Sequence, residues 1–125
     1  MVAKKIHDGH PMIGYLGKDM RHIILKLVLV HRIAKKPIYS YALMGELDAK
    51  RISKLLNKKG RELKNDVYNT LGALEKSGYI SSRERIEDGK KRNYYSVTPK
   101  GRKRLRESRM LFMKTMRELM NVMKE

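Results

Sequence analysis

The chain has 125 residues, which suits one compact domain with an extra helix or tail. A formal net charge of +17 favours polyanions (DNA, RNA or an anionic membrane surface) and is extreme for an ordinary enzyme. The absence of cysteine excludes disulfide staples and thiolate zinc sites. No run is apolar and long enough to span a bilayer, and the N-terminus lacks the apolar core of a signal peptide, so a cytoplasmic protein with no membrane partner is expected.

Residues 1–18 mix Lys4 and Lys5 with His7, His10, Pro11 and the glycines Gly9, Gly14 and Gly17. That composition predicts a flexible basic tail. Two histidines are weak evidence for a metal, and no metal or cofactor is expected. Asp19, as N-cap, then opens a helix from Met20 to about Ala34. Ile23, Ile24, Leu27, Val28, Leu29 and Val30 make it apolar over most of its circumference, so it packs deeply or lies in an interface. Lys35-Lys36-Pro37 ends it, because the residue before proline disfavours the helical region.

A second helix is expected from Ile38 to about Lys59, with Tyr41, Met44, Leu47, Ile52, Leu55 and Leu56 at helical intervals. Gly45 weakens its continuity, and Asp48-Ala49 is where a break can fall. Arg61-Glu62-Leu63 reads as a short connection into a third helix that starts at Lys64. Val67, Leu71, Leu74 and Ile80 give this stretch an apolar back. Asn65 or Asp66 can cap its start, and Gly78 stops it. Lys64, Asn65, Tyr68, Asn69 and Thr70 form the outward face, with donors and acceptors suited to bases and phosphates. An apolar back, a capped front and a polar tip are the parts of a recognition helix.

A hairpin is expected next. Tyr79 to Ile86 leads into Asp88-Gly89, a turn signal because glycine supplies positive φ without strain, and Asn93 to Val97 returns. Arg83, Arg85, Lys90, Lys91 and Arg92 load it as a wing lying along DNA backbone would be. Thr98 and Pro99 then start a last helix that runs to Glu125. Its first turns carry Lys100, Arg102, Lys103, Arg104, Arg106 and Arg109, and its second half is apolar and rich in methionine. Leu105, Phe112 and Leu119 are spaced seven apart. With Met116 and Met123, and with Ile24, Leu27 and Val28 of the first helix, they predict a homodimer interface. The fold class is thus mainly α with a small β-hairpin. A winged helix-turn-helix domain spans 19–98 and a C-terminal dimerisation helix spans 99–125.

Three blocks carry a family resemblance. Pro37-Ile38-Tyr39-Ser40-Tyr41-Ala42-Leu43 is similar to Pro-Leu-His-Gly-Tyr-Glu-Leu. Asp66-Val67-Tyr68, followed by Leu74-Glu75-Lys76-Ser77-Gly78-Tyr79-Ile80, is similar to Thr-Leu-Tyr and Leu-Glu-x-x-Gly-Leu-Ile. Arg92-Asn93-Tyr94-Tyr95-Ser96-Val97-Thr98-Pro99-Lys100-Gly101 is similar to Arg-x-Tyr-Tyr-x-Leu-Thr-x-x-Gly. Over roughly residues 22–122 the chain resembles the PadR family of winged-helix transcriptional regulators. The resemblance implies a homodimer that represses transcription from a pseudo-palindromic operator, with dimerisation through the C-terminal helix. It also implies that Tyr68 is the recognition-helix tyrosine and that a small apolar effector can sit between the dimer helices. Ser40 departs from the family glycine, and Asp66-Val67 from Thr-Leu. Asp66 then either caps the helix or reads a cytosine amino group.

The charge, and the basic start of the last helix, leave a second reading open: a sequence-tolerant architectural DNA-binding protein. An enzyme is not expected. The chain has no Gly-rich phosphate loop, zinc-protease His-Glu pair or serine elbow. Glu84, Glu87 and Asp88 cluster at a hairpin tip, where a solvated turn accounts for them.

Overall fold

Apolar side chains three and four residues apart on successive helices converge on one core. The computed structural model describes residues 11–49, 52–56, 58 and 60–125. In chain order these form α1 (Pro11–Lys35), β1 (Ile38–Tyr39), α2 (Ser40–Ala49), α3 (Ile52–Leu56), α4 (Gly60–Lys76), β2 (Ile80–Glu87), β3 (Lys90–Val97) and α5 (Pro99–Lys124). Leu25, Leu29 and Ile33 of α1 meet Leu43 and Leu47 of α2, Leu56 of α3, and Leu63, Val67, Leu71 and Leu74 of α4, with Ile38 and Ile80 closing the sheet side. This is the mainly helical winged helix-turn-helix expected, with its long C-terminal helix.

Several boundaries differ from the sequence reading. Helix α1 begins at Pro11, so the expected flexible tail does not extend through 11–18, and Asp19 is an interior residue rather than a cap. Proline is tolerated as the first helical residue, where its missing N–H has no partner to lose. Residues 1–10, including His7 and His10, lie outside the described residues. Ile38 and Tyr39 do not start a helix. They form β1, which pairs antiparallel with β3 (Ile38 with Tyr95, Tyr39 with Tyr94), so the hairpin becomes a three-stranded sheet of order β1-β3-β2. The second helix does end at Ala49, where a break could fall. Helix α4 starts at Gly60, whose φ is +62°. Arg61-Glu62-Leu63 is therefore its first turn rather than a connection. Leu63 is fully buried and extends the stripe of Val67 and Leu71 by one turn. Asn65 and Asp66 consequently lie inside the helix and cap nothing.

Both turns follow the sequence signals. Gly78, at φ +82°, ends α4 in a Schellman motif: the Tyr79 amide donates to Leu74 O and the Gly78 amide to Glu75 O, both at 3.0 Å. Asp88 (φ 51°) and Gly89 (φ 76°) make a two-residue turn between Glu87 and Lys90 with both residues left-handed, as a I′ hairpin requires. Thr98 fastens the last junction. Its hydroxyl oxygen accepts from the Gly101 amide at 2.9 Å and donates to Gly78 O at 2.7 Å, which ties the start of α5 to the end of α4. Gly101 is buried against the same corner. A Cβ there would lie 2.0 Å from Tyr79 O.

Candidate nucleic-acid interface

Helix α4 advances about 100° per residue, so Leu63, Val67, Thr70, Leu71 and Leu74 face the core while Arg61, Lys64, Asn65, Tyr68 and Asn69 face solvent. Of the five predicted reading residues, four are therefore presented and one is not. Thr70 is only 5% exposed and points away from the others, so it is unavailable to bases. Tyr68 is 40% exposed. Its hydroxyl reaches Ser40 Oγ at 3.4 Å, and Lys64 Nζ lies 6.0 Å from its ring centre. Asp66 neither caps nor faces outward with them; it is half-buried and paired with Lys58. That pairing offsets the negative charge of Asp66 beside the solvent-facing strip. Beside this strip the first turn of α2 exposes Tyr41 at 80%. The sequence reading assigned Tyr41 to packing, because its helical spacing from Met44 fits an apolar stripe equally well.

The wing sorts its charges by face. In an antiparallel ladder directly opposed residues share a face. Arg83 opposes Tyr94, Arg85 opposes Arg92, and Glu87 opposes Lys90, all on the outer face with Tyr39. The inner face turns Ile80, Tyr95 and Val97 toward the helices, and carries Lys91 and Ile86 at its tip. Four of the five predicted wing cations thus share one face, and Lys91 lies on the other. Burial pushes the Tyr95 phenol above its ordinary range. Ser82 on that inner face donates to Glu75 Oε2 of α4 at 2.7 Å, so the hairpin and α4 are held together.

Arg85 and Arg92 are not simply solvated. The Arg85 guanidinium sits over the Tyr94 ring at 4.2 Å and Arg92 over Tyr39 at 4.4 Å, and the two rings meet edge to face at 5.3 Å. The Tyr94 hydroxyl donates to Glu87 Oε1, which holds the phenol above its ordinary range. This network lay beyond the sequence reading, which took Glu87 as part of a solvated turn.

The basic start of α5 has structural partners. Lys100 Nζ donates to Ser77 O at 2.9 Å, Arg102 Nη2 to Ala34 O at 3.2 Å, and Arg104 Nε to the Tyr79 hydroxyl at 3.1 Å. The first two meet carbonyls at or next to the C-terminal ends of α4 and α1, where cations are favoured.

The predicted dimer residues divide in two. Ile24, Val28 and Leu105 pack against the chain's own core. Leu27, Phe112 and Met116 are half-buried, while Leu119 and Met123 are exposed. Exposed beside them on α5 are Met110, Leu111, Met113, Met120 and Val122. Leu27, Val28 and Leu105 also line a cavity of about 390 Å³ between α1, α2, α3 and α5. Its edge carries Arg32, which grips Glu46 through two hydrogen bonds of 2.6 and 2.9 Å. Among the described residues no cluster of three or more His, Asp or Glu could hold a metal, and no helix is long and apolar enough to cross a membrane.

Residues 28–107 match the Transcriptional regulator PadR-like family. A transcriptional regulator of Mycobacterium tuberculosis is 32% identical over 103 residues, covering 82% of this chain and 89% of that protein. Among solved structures, a PadR family transcriptional regulator of Eggerthella lenta superposes with a TM-score of 0.71 at 21% identity, over 90% of this chain and 92% of the other. PadR of Bacillus subtilis, solved in complex with operator DNA, gives 0.56 at 19% identity over 67% of this chain and 46% of its own. These relatives are regulators, not enzymes, and the chain belongs to the PadR-like family of transcriptional regulators.

Proposed function

We propose that the chain is a cytoplasmic homodimer that binds a pseudo-palindromic operator in double-stranded DNA and represses transcription by occluding a promoter. The observation that carries this is the solvent-facing strip Arg61, Lys64, Asn65, Tyr68 and Asn69 on α4, flanked by a wing with four cations on one face. Lys64, Arg61 and the wing cations set affinity through phosphates, and Asn65, Tyr68 and Asn69 set specificity through base edges. A relative solved with operator DNA supports the same use of the fold. The exposed apolar residues in the second half of α5 support the dimer, because a lone domain seldom leaves so many large apolar side chains of one helix in water. The 390 Å³ cavity is of a size that suits a small apolar effector.

The architectural alternative rests on the net charge of +17 and on the basic start of α5. Lys100, Arg102 and Arg104 have intramolecular partners there, which favours the regulator. The test is a fluorescence-anisotropy titration at about 150 mM salt, where screening suppresses loose electrostatic binding. The duplexes tile the protein's own upstream region and compete with a scrambled duplex. One fragment retained at least about a thousandfold more tightly than the scramble supports the regulator. Equal binding to every duplex, lost together with salt, supports the architectural protein.

A further inference from the structure

Glu87 is the one carboxylate among the strand residues of the basic wing face. Arg85 and Arg92 oppose each other directly across the ladder, and like charges in that relation repel. Glu87 meets both. Arg92 Nη1 lies 3.5 Å from its Oε1, Arg85 Nη1 lies 3.9 Å from its Oε2, and the Tyr94 hydroxyl donates to Oε1. Tyr94 and Tyr39 fix the other side of each guanidinium by lying beneath it. The two ion pairs are long and part-exposed, so another anion can replace the carboxylate at little cost. A charge-assisted, two-pronged phosphate contact is stronger than either.

We infer that Glu87 is a positioning residue that stands in for a DNA phosphate. It holds Arg85 and Arg92 over their tyrosines and yields them to the backbone only when α4 has docked and brought a phosphate within bonding distance. A duplex held loosely offers phosphates at screened distances, and the carboxylate under 4 Å away prevails. A closely held phosphate displaces it. The wing therefore contributes to binding where the recognition helix fits and is withheld elsewhere. This inference rests on the DNA-binding reading and adds to it a residue that limits non-specific affinity.

The test measures affinity for a random-sequence duplex as a function of salt, with wild type, Glu87→Gln and Glu84→Gln. Glu84 opposes Asn93 on the other face of the hairpin, so its variant matches the charge change without touching the arginines. Glu87→Gln is expected to steepen the log–log salt slope by roughly 1–2, the signature of one or two added phosphate contacts. It should also tighten random-duplex binding by about tenfold at about 150 mM salt. Glu84→Gln should give only a small change. In a double-mutant cycle, Arg85→Gln costs little in the wild type and removes most of the gain in Glu87→Gln. Should Glu87→Gln loosen the hairpin, seen as lost amide protection in β2 and β3, Tyr94→Phe is the second variant. It frees one hold on the carboxylate, keeps the ring under Arg85, and steepens the slope in the same direction. Equal slopes for the Glu87 and Glu84 variants, or an Arg85 effect that is the same in both backgrounds, overturn the inference and leave DNA binding intact. A wild-type protein that binds no duplex even at low salt overturns the DNA-binding reading, and this inference with it.

Discussion

At the scale of single residues, the corner where α4, β3 and α5 meet leaves little room for substitution. The Thr98 hydroxyl serves as cap for α5 and as donor to the Gly78 carbonyl just past the end of α4. Gly101 must bring its Cα against the Tyr79 carbonyl, which is backbone and cannot swing aside. Gly101→Ala should therefore destabilise by roughly 3 kcal/mol, the upper end of overpacking costs, read from the midpoint of urea unfolding. Thr98→Ala should cost about 1 kcal/mol for the lost cap, and Thr98→Ser should restore most of it. An unchanged midpoint in Gly101→Ala would show that the corner relaxes. Tyr94 offers a pH test. Its phenol donates to Glu87 and titrates above the ordinary value. A raised folded value means the contact stabilises fully below the ordinary phenol pKa of about 10 and fades as pH rises through the raised one. Wing order should thus be constant through neutral pH and decline only in alkali. Glu87→Gln should move the Tyr94 titration, followed by its ring carbon resonance, back toward an ordinary phenol.

At the scale of elements, local signals were legible and pairings between distant segments were not. The apolar back of α4, the Gly78 stop, the Asp88-Gly89 turn and the Thr98-Pro99 start are each set by a few neighbouring residues. β1 is different. Ile38 and Tyr39 are extended because Tyr95 and Tyr94 lie beside them, and nothing adjacent in the chain announces that partner. The sequence reading starts α4 four residues late, at Lys64 rather than Gly60. Thr70 is a separate matter: it lies three residues after Val67 and four before Leu74, so helical phase puts it on the buried side wherever the helix begins. Its hydroxyl suggests a polar contact, and position on the helix outweighs that. The Asp88-Gly89 turn fixes the register that sets Arg85 opposite Arg92, but the side-chain directions that bring Glu87 to both guanidiniums are not written in the sequence. The recognition helix then makes a sharp prediction. Asn69→Ala and Asn65→Ala should relax base preference by about 1–3 kcal/mol at a single operator position each. Arg61→Ala or Lys64→Ala should weaken all sequences alike and reduce the salt slope by about 1. Thr70→Val, which keeps the buried shape, should leave both quantities unchanged. A loss of specificity in Thr70→Val would mean that α4 rotates on binding.

At the scale of the whole molecule, excess positive charge and an exposed apolar helix have to be reconciled. A net charge of +17 opposes association of two copies at long range, and salt screens that repulsion within about 10 Å. The cations of α5 concentrate before Met110, while its large exposed apolar residues, from Met110 to Met123, follow. Charge and apolar contact are thus largely separated along one helix. In the proposed dimer, two copies join through the second half while their wings and α4 helices remain apart, each on its own half of the proposed operator. Replacing Leu119 and Met123 by Glu should then yield a folded monomer, because both side chains are exposed in the protomer and contribute nothing to its core. Analytical ultracentrifugation should show half the wild-type mass with an unchanged helical signal. Operator affinity should fall by at least about a hundredfold, since a linked second site raises affinity by 10²–10⁴ without any new contact. Random-duplex binding should fall far less, because one α4 and one wing meet phosphates unaided. A variant that stays dimeric would move the interface to α1, leaving the second half of α5 to cover something else.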